Sequence, residues 1–386
     1  MTTQRYQSIS DSPRFIGSLA IGILVMAVAA IGALTMEHEG HHVTGMNNLI
    51  VWGIPHVFAI FLIVSASGAL NIASIASVFD REFYKPLARL SAILAIALLV
   101  GGLAVILLDL GRPDRLIVAM TYYNFSSIFA WNIILYTGFI GLAVVYLWTM
   151  LDWQVEHFKR MAGTAAFTWR LILTAGTGSI FGVLVAREAY HIAIMGPMFI
   201  ILSLGYGQAF FLVVIGIFME REQLAAVSAR LSRLMVIMLV CGMATSAVYH
   251  LGNLFLLDAA GFENYLLAGD NIFPWLIWGL HLGVGCLVPL FLLLRSSRGP
   301  SAAAMVISGA LIIVGGMAQM YALVIGGQSF PMPLIDGYTT TSAFHGAATG
   351  YSPSVWEWML GSGGYAIALI ITVLSLRIFR LLPAGK

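Results

Sequence analysis

Runs of apolar residues at 15–35, 49–79, 90–108, 127–150, 170–188, 198–219, 234–257, 272–294, 301–326 and 354–379 dominate the chain. About 20 such residues carry a helix across the hydrocarbon core of a bilayer. Inside that core only helices and closed barrels satisfy their own backbone polar groups. The runs therefore predict an all-α, polytopic membrane protein of ten transmembrane helices. Two soluble domains are excluded by composition: charged residues make up 9% of the 386, against roughly 25% in soluble chains. The run at 49–79 is over-long and holds Pro55, so a kink or an overshoot of the membrane is expected there. The first run exceeds the usual signal-peptide core of about 7–15 residues and is read as a helix.

The same composition narrows function. Nineteen basic residues spread over this length form no basic face, so lipid rather than nucleic acid is the expected environment. Cys241 and Cys286 both lie within apolar runs and form neither a disulfide framework nor a CxxC site. The chain is thus expected to bind no iron–sulfur cluster of its own.

Charge sets the orientation. With an inside N-terminus, the inner segments are 1–14, 80–89, 151–170, 220–233, 295–300 and 377–386, which hold 16 of the 19 Lys and Arg. Arg112, Arg115 and Arg187 are left on the outer side. The positive-inside rule then predicts cytoplasmic termini.

An internal repeat is expected. Asp80-Arg81-Glu82 followed by Ala88-Arg89-Leu90-Ser91 matches Glu220-Arg221-Glu222 followed by Ala229-Arg230-Leu231-Ser232. Asp109-Leu110-Gly111 lies 18 residues after Ser91, and His250-Leu251-Gly252 lies 18 after Ser232. Asn124 precedes Trp131 by seven residues, as Asn271 precedes Trp278. Two parallel four-helix units follow, helices 2–5 and 6–9, flanked by helices 1 and 10. The segments are 1–48, 49–197, 198–326 and 327–386.

Polar groups crowd the outer half. His56 and His250 lie just inside outer helix ends, and His281 lies near mid-helix. Asp109, Arg112, Asp114 and Arg115 follow the third helix, and Arg187, Glu188 and His191 close the fifth. Glu357 opens the last helix. Asp109 with Arg112, and Arg187 with Glu188, can also be read as structural pairs. His38, His41 and His42 are read as a partner-facing surface. Intramembrane ionisable residues mark functional sites. A transporter needs polar access from both sides, whereas a site open to one leaflet suits an amphipathic quinone. Its carbonyls need donors, and its two-electron chemistry needs a proton relay of Asp, Glu or His. A haem b cytochrome is the main alternative, with His56, His250 and His281 as possible ligands; an ion or solute transporter is another.

The stretch Leu107-Leu108-Asp109-Leu110-Gly111-Arg112-Pro113, followed by Tyr122-Tyr123-Asn124-Phe125-Ser126-Ser127, resembles the NrfD-like family, the membrane subunits of polysulfide reductase and related complexes. Tyr351-Ser352-Pro353-Ser354, Trp356-Glu357 and the basic tail are also similar. Met36-Glu37-His38 and Asn47-Asn48 look most like the DsrP-type branch, found in a sulfur-metabolism complex. The resemblance covers the whole chain. It implies a quinone-reactive subunit on whose outer, periplasmic face a ferredoxin-like iron–sulfur subunit docks. It places quinone in the first four-helix unit, with His56, Tyr122, Tyr123, Asn124, Arg112 and Arg187 as candidate contacts. Asp109, Glu188 and His250 are the candidate proton carriers. The acids of the outer loops, Glu37, Glu39, Asp109, Asp114, Asp258, Glu263, Asp270 and Asp336, are expected to face the docked partner.

Topology is directly testable. Reporters fused after Arg230 and Lys386 are expected to read cytoplasmic, and one at Gly261 extracytoplasmic. A cytoplasmic reading at Gly261 would reverse the orientation.

Overall fold

The computed structural model describes residues 6–184, 187, 190, 193–256, 260–295, 299–331 and 349–384. Its long helices are α1 (Pro13–Glu39), α2 (Ile54–Ser77), α3 (Ala88–Asp109), α4 (Ile128–Leu151), α5 (Lys159–Gly182), α6 (Met195–Phe218), α7 (Arg221–Phe255), α8 (Trp275–Leu294), α9 (Ala302–Ser329) and α10 (Val355–Ile378). Among the described residues, nine helices are long and apolar enough to cross a membrane. The remaining one is α5, whose 24 residues include Arg160 and Arg170. The chain is a multi-pass, nearly all-helical integral membrane protein.

Helix α2 is the central column. It packs against α3, α5, α6, α9 and α10, while α1 lies mainly along α10. Bare backbone contact makes the crossing of α2 and α6 possible. A Cβ on Gly68 would overlap the Ser203 carbonyl, and one on Gly207 would overlap the backbone at Gly68 and Ala69. Small residues allow such close approach where lipid supplies no hydrophobic drive.

One expectation for α2 is corrected. Pro55 does not kink it; the helix starts at Ile54, and proline sits in the first turn, where its missing N–H costs no hydrogen bond. The interruption comes instead at Leu70, between Ile54–Ala69 and Asn71–Ser77. Ser91 of α3 repairs it. Its hydroxyl donates to the Ala69 carbonyl (2.6 Å) and accepts from the Ala73 N–H (3.0 Å). An unpaired backbone group inside hydrocarbon would be costly, and one side chain satisfies two of them.

The fifth helix also differs from expectation. It begins at Lys159 rather than 170, so Arg170 is not a loop residue but a buried helical one. Its guanidinium donates to the Ser67 carbonyl (3.0 Å) and Asn71 Oδ1 (3.2 Å) of α2. The Thr-, Ala- and Gly-rich start of this helix lacks the apolar density on which span prediction depends.

Both termini lie at one end of the bundle. Tyr6–Gln7 (β1) pairs antiparallel with Leu382–Pro383 (β2), and Arg377 grips Asp11 at 2.9 and 3.1 Å. Arg14 donates to the Ile217 carbonyl at 2.9 Å. This is the basic end; His56 and Asp109 lie at the other, called the His56 end below.

Gly207→Ala is expected to destabilise the fold by about 1–3 kcal/mol or more, the usual scale of overpacking. Gly141→Ala, with no atom within 4 Å of the added carbon, should be silent. Thermal melting in detergent separates the two; equal melting would show that the α2–α6 crossing yields freely.

Candidate functional site

The site starts from an extended stretch ahead of α2. Gln328 of α9 accepts from the N–H groups of Val51 and Trp52 (both 3.0 Å) and donates to the Trp52 carbonyl (3.0 Å). Arg187 donates to the carbonyls of Gln328 (2.9 Å) and Leu49 (3.0 Å). Together they fix Trp52, one turn ahead of His56. The Trp52 and His56 rings stack at 6.3 Å and 25°. Phe129 of α4 and Phe181 of α5 press edgewise on Trp52 at 6.1 and 5.7 Å. One turn deeper, buried Asn132 donates to the Ile128 carbonyl (2.9 Å) and meets Thr177 at 3.5 Å.

Asp109, the last residue of α3, stands 2.6 Å from His56, between its Oδ2 and the imidazole Nδ1. Its carboxylate is fully buried, whereas the His56 side chain is 21% exposed. Neither Asp109 oxygen receives a well-aligned hydrogen bond, so the contact is first an electrostatic one. His41 completes the group. Its Nε2 lies 3.0 Å from the Asp109 backbone carbonyl and 3.8 Å from Oδ1. The Asp109 carboxylate, 3.8 Å away, raises the pKa of His41 above the ordinary histidine value and outweighs the opposing effect of burial. The chain can turn beneath this ring because Gly111 adopts φ +71°. A Cβ there would stand 2.8 Å from His41 Cε1.

A carboxylate facing Nδ1 selects the tautomer. With the proton on Nδ1, the lone pair of neutral His56 is on Nε2. His56 can then accept a proton at one nitrogen and release one toward Asp109 at the other. The stacked indole supplies a flat apolar wall beside it.

A latch holds the surrounding loops. Glu357, fully buried, accepts from the N–H groups of Gly45 and Ser354 (both 2.7 Å) and from the Tyr351 hydroxyl (2.5 Å). The Tyr351 oxygen in turn accepts from the Ile54 N–H at 2.7 Å. One carboxylate thereby caps α10, anchors the His41 loop and fixes the start of α2.

A second carboxylate–imidazole pair lies across the molecule. His250 of α7 contacts Glu263, a fully buried residue of the short helix Ala260–Ala268. Asn253 also donates to Glu263, at 3.0 Å. Deeper, His281 faces the Gly315 carbonyl (3.1 Å), and Gln319 donates to Ser246 (2.8 Å) and accepts from Tyr206. Two cavities of about 20 Å³ flank His281, each room for one water. The helices around them contain π-turns, at Trp275–Leu287 and Ala322–Gly326.

Several expectations change. Asp109 does not pair with Arg112. Arg112 forms an exposed bridge to Asp114 instead, at 3.1 and 3.2 Å, because Gly111 turns the chain away after α3. Asp109 and Glu263 are buried, so neither contributes to a docking face. Of the candidate proton carriers, Asp109 faces His56 and His250 faces Glu263, in two separate pairs. Tyr122 is 82% exposed, Tyr123 stacks on Phe125, and the Asn124 side chain accepts from Ser126 N in its own turn. The structure therefore keeps all three in the 122–127 turn rather than on the His56–Asp109 pair. Glu188, His191, Asp258, Asp336 and His345 lie outside the described residues. Among the described residues, no group including His38, His41 and His42 could hold a metal ion. Sequence reasoning missed Trp52, Gln328, the His41 contact and the Glu263 pairing, none of which has a local sequence signal.

A buried carboxylate with a partly exposed imidazole, in a multi-pass helical bundle, defines the class: a polytopic membrane protein that holds an ionisable site near one end of its helices. The chain belongs to the polysulphide reductase NrfD family, whose model matches residues 42–332. It is 29% identical over 374 residues to the Hdr-like menaquinol oxidoreductase integral membrane subunit of Archaeoglobus fulgidus, covering 94% of this chain and 93% of that one. It is 23% identical to a selenate reductase subunit of Mesobacillus selenatarsenatis, with 91% of each chain covered. It is 25% identical to a putative dimethyl sulfoxide reductase membrane subunit of Halobacterium salinarum, covering 96% of this chain and 92% of that one.

Removing the group that faces a buried carboxylate leaves the carboxylate without a partner, which costs about 1–3 kcal/mol or more. His56→Ala is expected to lower the melting temperature markedly, and Arg112→Ala to leave it unchanged. Equal melting of the two variants would show that Asp109 does not need His56 as a partner.

Proposed function

We propose that this chain is the quinone-reactive subunit of a multi-subunit membrane redox complex. The observation that carries the reading is the partly exposed His56 imidazole, backed by buried Asp109 and walled by Trp52. Quinol oxidation releases two electrons and two protons. His56 Nε2 accepts a proton from a quinol hydroxyl, and Nδ1–H passes one to Asp109 Oδ2; quinone reduction runs the same contacts backward. The electrons pass to a separate iron–sulfur subunit. A relative named for menaquinol oxidation supports quinone as the substrate.

The strongly basic opposite end supports placing the His56 end on the periplasmic side of the inner membrane, with both termini cytoplasmic. The exposed acids Glu37, Glu39 and Asp114 then form part of the docking face for a ferredoxin-like partner. The exposed Tyr122, with Phe125 and Phe129, guides the ring from lipid, and Tyr123 and Asn124 shape the turn that carries it. Arg187 acts by positioning Trp52. The site belongs to the first of two four-helix units, and His250 serves the second. Within the family, the opening Met36-Glu37-His38 favours the DsrP-type branch and a role in sulfur metabolism.

The test is turnover in the purified complex. Asp109→Asn keeps the side-chain shape and is expected to leave the complex assembled, with quinone turnover slowed by about 10²-fold or more, the scale of a lost acid–base group. His56→Ala is expected to weaken quinone binding as well. Undiminished turnover in Asp109→Asn would make the carboxylate a structural group and sink this reading.

A further inference from the structure

We propose that His41 carries the proton between Asp109 and the water at the His56 end. The inference rests on the quinone reading above and adds a residue outside the membrane-spanning helices, on the loop after α1.

Three observations converge on it. First, exposure is graded: the Asp109 side chain is fully buried, His56 is 21% exposed and His41 is 37% exposed. Asp109 has its second oxygen, Oδ1, 3.8 Å from His41 Nε2, while Oδ2 faces His56. A proton arriving from His56 therefore has an imidazole on the far side of the same carboxyl group, toward solvent. Second, the ring is placed by construction. Thr44 donates to the His41 carbonyl at 2.6 Å, Glu357 anchors Gly45 at 2.7 Å, and Gly111 leaves the space the ring fills. Third, a single hydrogen bond holds the ring itself, the 3.0 Å contact with the Asp109 backbone carbonyl. A carbonyl can only accept, so Nε2 is the donor and Nδ1 of the neutral ring has the lone pair.

The step balances without a further reactant. The ring turns over, so that Nδ1 with its lone pair replaces Nε2 beside the Asp109 carboxyl group. The O–H bond of protonated Asp109 breaks, an N–H bond forms on His41, and the carboxylate is restored. The imidazolium then gives a proton to water and returns to the neutral state. Besides Asp109, the carboxylate of Glu357 on α10 acts on the ring, and His42 follows it in the chain. Arg112 is engaged with Asp114. The net surroundings are acidic, which favours an imidazolium. His41 therefore holds its proton to a higher pH than an ordinary histidine, and its protonated fraction falls as pH rises through that raised value.

The experiment measures quinone turnover of the intact complex against pH, with and without added imidazole. His41→Ala is expected to slow turnover by on the order of 10²-fold, again the scale of a lost acid–base group, with KM for quinone unchanged. Added imidazole should restore it by occupying the space left. His41→Gln retains a donor for the Asp109 carbonyl but cannot titrate, so it should remain slow and lose the pH dependence. Full turnover in His41→Gln, or loss in His41→Ala that imidazole does not restore, would make His41 a structural contact and overturn the relay. A wild-type turnover insensitive to His56→Ala would show that the quinone reading itself had failed, whatever the His41 variants did.

Discussion

The structure depends on one constraint: a charge inside a hydrocarbon-spanning bundle must bring its own partner. Asp109 ends α3 with its carboxylate fully buried, where a protein and lipid surround screens charge poorly. His56 answers from α2 at 2.6 Å, and His41 approaches from the loop after α1. Three separate segments are thereby held at one point, and the helix ends they belong to are fixed with them. The interaction that stabilises the corner also leaves an imidazole between a buried carboxylate and the outside of the bundle.

The same constraint explains the supporting groups. Glu357 satisfies itself with two backbone donors and a hydroxyl, and in doing so sets the entrance of α2 and the His41 loop. Gln328 and Arg187 neutralise backbone groups of the extended 49–53 stretch, which would otherwise be unpaired at the membrane boundary. Ser91 bridges the interruption of α2. Each of these polar side chains looks isolated in sequence, and each is a hydrogen-bond partner for backbone that is not regular helix.

Helix α7 and the short helix Ala260–Ala268 present a second version of the pair, with the chemistry exchanged. In α3 the helix end supplies the carboxylate and a neighbour supplies the imidazole; in α7 the helix end supplies the imidazole and Glu263 the carboxylate. The Asp109-Leu110-Gly111 stretch thus carries the carboxylate of its pair, and the His250-Leu251-Gly252 stretch the imidazole of the other. The first pair has an indole stacked along its imidazole; the second has Tyr249 set edgewise to its ring and leads into a water-sized cavity.

Sequence alone determined the class of the molecule, because apolar length and charge exclusion are properties of the lipid solvent and act on each segment independently. The long apolar helices, a basic end and the clustering of His, Asp and Arg opposite it could all be read from the residues. So could His56 and Asp109 as residues of interest, since an ionisable residue at a helix end in lipid is rare. Partner choice could not be read. Arg112, three residues from Asp109, was the natural partner by proximity, yet His56, 53 residues earlier, is the one in contact. The left-handed Gly111 redirects the chain, and the packing of α2 on α3 brings the imidazole in. Arg170 looked like a loop residue because charge normally marks a loop; only the carbonyl of Ser67 and the amide of Asn71, on another helix, make its burial tolerable. Long-range pairs of this kind are set by which helix faces meet, and that depends on the fit of all the helices together rather than on any one segment.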